Sequence, residues 1–187
     1  MHPSAYSFAT RALTPEQVAG KRVVEVGAYN YNGSARDAIT VMDPASYLGT
    51  DAQAGPGVNL VCPAEKLPDV LCEGCADVLL STEMLEHAED WRGAVTGMVR
   101  VLAPGGLLVL TTRSAGFPFH PHPLDCWRYS VEQMGAIAAA CGLEVIQLLA
   151  DPDPASPGVF LLARKPDVWD GAGMAEGLAA VEPGPPR

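Results

Sequence analysis

The segment Arg22-Val23-Val24-Glu25-Val26-Gly27-Ala28-Tyr29-Asn30-Tyr31-Asn32-Gly33-Ser34 opens as a strand and closes as a helix start. Its valines favour a pleated, buried conformation, and the run stops at Gly27. A polar turn follows, and Ser34 is suited to cap a helix predicted to run to Met42. A strand passing through glycine directly into a helix is the opening unit of an α/β sheet. Gly27 lets a ligand approach the backbone with no Cβ in the way. The amide groups beyond Gly33 suit a phosphate or a carboxylate. A dinucleotide fingerprint needs Gly-x-Gly-x-x-Gly, and here Tyr29 and Asn32 stand at its second and third glycine positions. Close approach of a pyrophosphate is obstructed, whereas a carboxylate demands less room.

The same strand–helix alternation continues along the chain. Ser46 to Thr50 reads as a second strand ending at Asp51, and Val58 to Cys62 as a third after the turn Gly55-Pro56-Gly57. Asp77 to Ser81 is a fourth strand, apolar enough for burial on both faces. Asp90 to Leu102 carries Trp91, Val95, Met98, Val99 and Leu102 at helical spacing and ends at Pro104-Gly105-Gly106. Leu107 to Leu110 is the fifth strand. Ser130 caps a helix through Ala140, and residues 144–149 and 159–163 form a last pair of strands. The pattern predicts a doubly wound, Rossmann-like sheet of seven mostly parallel strands, with an antiparallel C-terminal pair and helices on both faces. Residues 1–165 are expected to form one domain, with residues 1–20 an irregular or short helical lead-in. Residues 166–187, dominated by glycine, alanine and proline, are expected to be a flexible or loosely packed tail. Ligands in such sheets bind at the carboxyl ends of the strands.

Composition narrows the partners. The chain has 187 residues, 48% of them apolar, enough for one packed core. A formal net charge of −10 without a basic run disfavours nucleic acid. No apolar run reaches the ~18 residues that span a bilayer, so no membrane partner is expected. Met1-His2-Pro3-Ser4 lacks a secretory pattern, and a cytoplasmic protein is expected. Five cysteines, with Cys72-x-x-Cys75 lacking a matching ligand pair, suggest neither a disulfide framework nor a zinc knuckle.

The residues just after the strands carry the chemistry. Asp51, with Ala52 beside it, lies at the distance past the glycine turn where a carboxylate accepts hydrogen bonds from a ribose diol. Ala64 and Glu65 follow the third strand, where their backbone can face an adenine edge. Thr82 and Glu83 follow the fourth. Taken in order, Glu25-x-Gly27, Asp51, Ala64-Glu65-x-Leu67-Pro68, Asp77 to His87 and Arg100-Val101-Leu102-x-Pro104-Gly105-Gly106 resemble the class I S-adenosylmethionine-dependent methyltransferases, most closely the small type 11 group. The match covers about residues 20 to 165. The loop from His120 to Ser130 is similar to a segment in members near sugar, cell-surface-glycan and natural-product pathways.

The resemblance implies S-adenosyl-L-methionine as cofactor. Glu25 would sit beneath the turn, and Gly27, Tyr29 and Gly33 would pass the methionine part. Asp51 and Ala52 would take the ribose, Ala64 and Glu65 would flank the adenine, and Thr82 and Glu83 would floor the sulfonium end. The chain departs from the family at Tyr29 and Tyr31, where further glycines are usual, and at Pro63, where an aspartate is common. Methyl transfer is an in-line displacement, and a hydroxyl acceptor must also lose its proton. Histidine is the natural base, with His120 first, His122 second and His87 third. Asp125 is placed to orient an imidazole. Asp125, Trp127 and Arg128 are candidate substrate contacts, with Arg128 equally able to tie the loop to Asp125 and Trp127 to fill the core. The extended His120-x-His122 pair permits chelation with Asp125 without requiring it, so no metal is assigned. The expected acceptor is a small molecule, most readily a hydroxyl of a sugar, nucleoside or secondary metabolite. A small amine, a non-catalytic binding module and a nicotinamide-dependent oxidoreductase are the alternatives. Monomer and homodimer both remain open.

Overall fold

In the computed structural model, which describes residues 1–121 and 124–186, seven strands form a single sheet. They are β1 (Arg22–Val26), β2 (Ser46–Asp51), β3 (Leu60–Val61), β4 (Ala76–Thr82), β5 (Leu102–Arg113), β6 (Glu144–Ala150) and β7 (Gly158–Arg164). Their order is β3-β2-β1-β4-β5-β7-β6. The first five run parallel, and β7 is antiparallel to both β5 and β6. Helices α1 (Pro3–Arg11), α2 (Pro15–Val18), α3 (Arg36–Thr40), α4 (Leu67–Val70), α5 (Trp91–Val101), α6 (Val131–Ala140) and α7 (Met174–Ala179) complete the chain. The expected doubly wound sheet with an antiparallel end is therefore present.

Period-two alternation divides the core between the two faces. Val24, Val26, Leu79, Leu108 and Leu110 point to one side, where Trp91, Val95 and Met98 of α5 and Met134 and Ile137 of α6 cover them. Val23, Val78, Leu80, Leu107 and Val109 point to the other, against Ala9 of α1, Leu13, Val18 and Ile39. Each such side chain contributes ~1.5–3 kcal/mol on burial. α1, read in the sequence only as a lead-in, is thus part of the core. Its apolar positions are too few to announce a helix without the sheet beneath it.

Three element boundaries, those of α3, β3 and β5, depart from the sequence reading. α3 spans Arg36–Thr40 rather than reaching from Ser34 to Met42, and Ser34 Oγ still accepts the Arg36 amide at 3.0 Å. β3 is two residues long, because Asn59 Oδ1 turns back to receive the Gly49 amide (2.9 Å). β5 begins at Leu102, so Pro104-Gly105-Gly106 lies inside the strand. There Gly105 donates to Lys165 O (2.8 Å) and Lys165 N to Gly106 O (2.9 Å), with Gly105 at φ +73° and a register shift opposite. Beyond Pro166, α7 buries Met174 and Leu178, while Arg92 donates to Leu178 O and Val181 O and Arg128 and Gly184 exchange backbone hydrogen bonds.

Lys165 closes α5 from the neighbouring strand. Its buried ammonium donates to Val99 O (2.8 Å) and Leu102 O (2.7 Å) and lies 3.9 Å from the Trp169 ring centroid. Burial lowers its pKa. Lys165→Met is expected to strand both carbonyls and to cost ~1–3 kcal/mol, read as a lower Tm in thermal unfolding.

Candidate active site

The carboxyl ends of β1, β2, β4 and β5 open onto a cavity of about 800 Å³. Of the residues expected to hold a cofactor, Glu25, Gly27, Tyr29, Gly33, Asp51, Ala52, Ala64, Glu65, Thr82 and Glu83 all line it. The turn after β1 is bound to the end of β2 by two amides, Gly27 N and Ala28 N, both donating to Thr50 O at 2.9 Å. Gly27 has φ +81°, and a Cβ there would lie 2.6 Å from Met84 Cβ, so only glycine fits. The Tyr29 ring leans over Gly55, where a Cβ would lie 2.2 Å from Tyr29 Cε2, and Tyr31 is exposed. Tyr29 is therefore accommodated by a glycine opposite, and Tyr31 by projecting into solvent. Gly33 donates to Asn30 Oδ1 (2.9 Å). The short α3 offers little macrodipole, so the anion-binding capacity expected beyond Gly33 is reduced. Glu25 is buried and ties the elements together. It accepts from Ser34 Oγ (3.2 Å) and Tyr47 Oη (3.0 Å), and burial raises its pKa against those bonds.

Asp51 ends β2 with both oxygens already engaged by the backbone, Oδ2 by Tyr29 N (3.1 Å) and Oδ1 by Gln53 N (3.0 Å). Each oxygen keeps a second lone-pair site toward the cavity. Ala64 and Glu65 lie on a 3-10 turn, Ala64–Lys66, seated on α5. A Cβ at Gly97 of α5 would come within 2.2 Å of Ala64 O. Glu83, just past β4, holds φ +52°, a strained value for a residue with a side chain. Its carboxylate pairs with Arg113 and receives the His2 amide at 2.5 Å.

The far end of the cavity carries His87 and His120, their rings edge to face at 4.9 Å between centroids. His87 Nδ1 bonds to Leu124 O. His120 Nδ1 lies 3.1 Å from Pro118 O and 3.2 Å from Asp125 Oδ2. Burial lowers the pKa of both imidazoles, with Asp125 acting in the opposite direction. His122 lies outside the described residues. Asp125, Trp127 and Arg128 do not line the cavity. Arg128 is buried and donates to both Asp125 oxygens and to Trp127, Phe117 and Pro118 carbonyls, and Trp127 Nε1 donates to Ala88 O (2.8 Å). A buried guanidinium must spend its donors on the nearest acceptors, and Arg128 spends them within its own loop.

Sequence reasoning did not find Glu86, Arg113, Phe117 or the N-terminal residues. Glu86 is wholly buried beside His87, its carboxyl pushed up to about 7 by burial. Arg113 ends β5, with its guanidinium 4.3 Å from the Phe117 ring centroid and Nη1 3.2 Å from Asp151 Oδ2. Met1, His2 and Pro3 lie along the cavity wall. The available signal was the break of a long apolar run by a single arginine, which marks a buried charge but not its partner.

Residues 26–110 match the family model for a methyltransferase domain, type 11. No curated protein matches the chain. Among solved structures, 1,6-didemethyltoxoflavin-N1-methyltransferase of Burkholderia thailandensis, with 1,6-didemethyltoxoflavin and S-adenosylhomocysteine bound, is 16% identical at TM-score 0.70, covering 87% of this chain and 79% of that one. An S-adenosylmethionine-dependent methyltransferase from Mesorhizobium loti is 18% identical at TM-score 0.63, covering 86% and 98%. The N-methyltransferase NodS from Bradyrhizobium japonicum is 15% identical at TM-score 0.64, covering 86% and 94%. At these identities the likeness establishes the fold. Among the described residues no helix is long and apolar enough to cross a membrane.

Proposed function

We propose that this chain, whose residues 26–110 match a methyltransferase domain, is a class I, S-adenosylmethionine-dependent methyltransferase that methylates a hydroxyl of a small molecule held beside His120. The observation that carries the reading is one cavity with a glycine wall at Gly27, a carboxylate at Asp51 and an imidazole pair at its far end. The residues fit the cofactor. Gly27 leaves backbone where a Cβ has no room, Asp51 retains lone pairs for a diol, and Ala64 presents a small surface between them and α5. When bound, S-adenosylmethionine supplies a methyl group made electrophilic by its sulfonium.

The chain's own residues do the rest. Gly27, Tyr29 and Gly33 hold the amino-acid end, Asp51 and Ala52 the ribose, Ala64 and Glu65 the adenine, and Thr82 and Glu83 the floor. Glu25 keeps β1, β2 and α3 in register beneath them. His120 Nδ1, facing Pro118 O and Asp125, keeps its proton there, so Nε2 is free to take one from the acceptor. Asp125 positions that ring, and Arg128 holds Asp125. A sugar, nucleoside or secondary-metabolite hydroxyl suits this base. Two of the three structures named above are N-methyltransferases by name, which supports a small amine as the second reading. The acidic charge balance favours a small acceptor over a nucleic acid.

His120→Ala is expected to lower kcat by ~10²–10⁴-fold while the dissociation constant for S-adenosylmethionine stays within about twofold. Calorimetry against S-adenosylmethionine and NAD, followed by transfer of labelled methyl to panels of alcohols and amines, tests the proposal. NAD binding in place of S-adenosylmethionine would overturn it. Cofactor binding with no transfer to any acceptor would leave only a binding module, and transfer to amines alone would establish the second reading.

A further inference from the structure

We propose that Glu86, His87 and His120 form a divalent transition-metal site at the acceptor end of the cavity. One ligand atom from each residue lies within 4.8 Å of the other two, a spacing that an ion at the centre can bridge. All three residues line the cavity. Glu86 is completely buried, and Thr112 Oγ1 donates to its Oε2 at 2.7 Å. Its Oε1 has no hydrogen-bond partner among the described residues. A buried carboxylate oxygen without a partner is costly, and a cation is the partner that removes the cost most completely.

The imidazoles are prepared in the same way. The carbonyl of Leu124 fixes the proton of His87 on Nδ1, and Pro118 O with Asp125 does the same for His120. Both Nε2 lone pairs are thereby released. Ligating histidines are held in this manner, with the second ring nitrogen donating to a carbonyl or carboxylate. Two neutral imidazoles and one carboxylate suit zinc, cobalt, iron or manganese rather than calcium or magnesium, and they leave coordination positions open. An oxygen of the acceptor would fill one of them. The inference rests on the reading that the acceptor lies at this end. With the ion bound, His120 serves as a ligand, and the acceptor oxygen, acidified by the ion, loses its proton to water. Direct proton transfer to His120 then belongs to the ion-free protein.

Cobalt(II) titrated into the full, chelator-stripped chain and followed by visible absorption tests the site without any turnover. One equivalent is expected to saturate a ligand-field band. Glu86→Gln and His120→Ala are each expected to weaken it at least ~10-fold, a loss that even the residues supporting a metal ligand produce. Cys72→Ser is expected to leave it unchanged, which separates the site from the Cys72-x-x-Cys75 thiols. No saturable band, or a band kept in both cavity variants, overturns the site. If Glu86→Gln fails to fold, the partly exposed His120→Ala carries the test alone. S-adenosylmethionine calorimetry on the same samples keeps the two readings apart. Intact cofactor binding without cobalt binding sinks the metal site only, whereas loss of cofactor binding by the unmodified chain sinks the functional reading whatever cobalt does.

Discussion

Asp51→Ala is expected to weaken S-adenosylmethionine binding about 100-fold and to leave the fold intact. Hydrogen bonds to a charged acceptor contribute ~1.5–3 kcal/mol each, and a ribose diol makes two of them. Each ~1.4 kcal/mol lost is tenfold in affinity. The two backbone amides that Asp51 receives, from Tyr29 and Gln53, orient the carboxylate before any ligand arrives. The alanine variant loses that orientation together with the charge. Asp51→Asn keeps the shape and one acceptor, so it should fall between the two. Calorimetry reads the effect directly, and an alanine variant binding within about twofold of wild type would remove the ribose role from this residue.

Arg128→Met should be the most destabilising single change in the loop that carries His120, at ~3–5 kcal/mol. Burial pushes the Asp125 carboxyl upward, but Arg128 and the His120 amide outweigh it, so Asp125 stays ionised and below the usual carboxylate range. Removing the guanidinium leaves that charge buried and unpaired. It also frees the Phe117 and Pro118 carbonyls that shape the approach to His120. Denaturant unfolding should show a lower midpoint with an unchanged slope. The double variant Arg128→Met, Asp125→Leu should recover part of the loss, since the orphaned charge is gone. A single variant as stable as wild type would show that the pair contributes nothing.

Much of the sheet could be read from residues because its signals are local. Val23 to Val26 and Asp77 to Ser81 announce strands by their own side chains, and Gly27 and Asp51 stand at strand ends because the topology has little else to put there. The features that escaped are those set by distant neighbours. Nothing near Arg113 names Asp151 or Glu83 as its partners. Nothing near Ser34 says that α3 starts late and stops at Thr40. Glu86 looks like any acid at the start of a helical segment until Thr112, 26 residues away, is seen to hold it. Arg128 reads equally well as a substrate contact or as a tie to Asp125, and nothing beside it in the sequence names the Phe117 and Pro118 carbonyls that it also meets. The tail beyond Pro166 has too few apolar residues to signal packing, yet Met174 and Leu178 find a ready surface on α6 and α5.

The clearance at Gly97 has a mechanical consequence. With 2.2 Å between Ala64 O and the position any larger side chain would occupy, the turn at Ala64 and Glu65 is clamped directly to the hydrophobic interior, without slack. A change in the shape of that cavity wall therefore cannot be reached by swelling α5, because the load would pass straight into the packing around Trp91 and Met98. Variation has to come from the rim, at Gln53 and Glu65, where side chains face solvent and can be exchanged without disturbing the helix behind them.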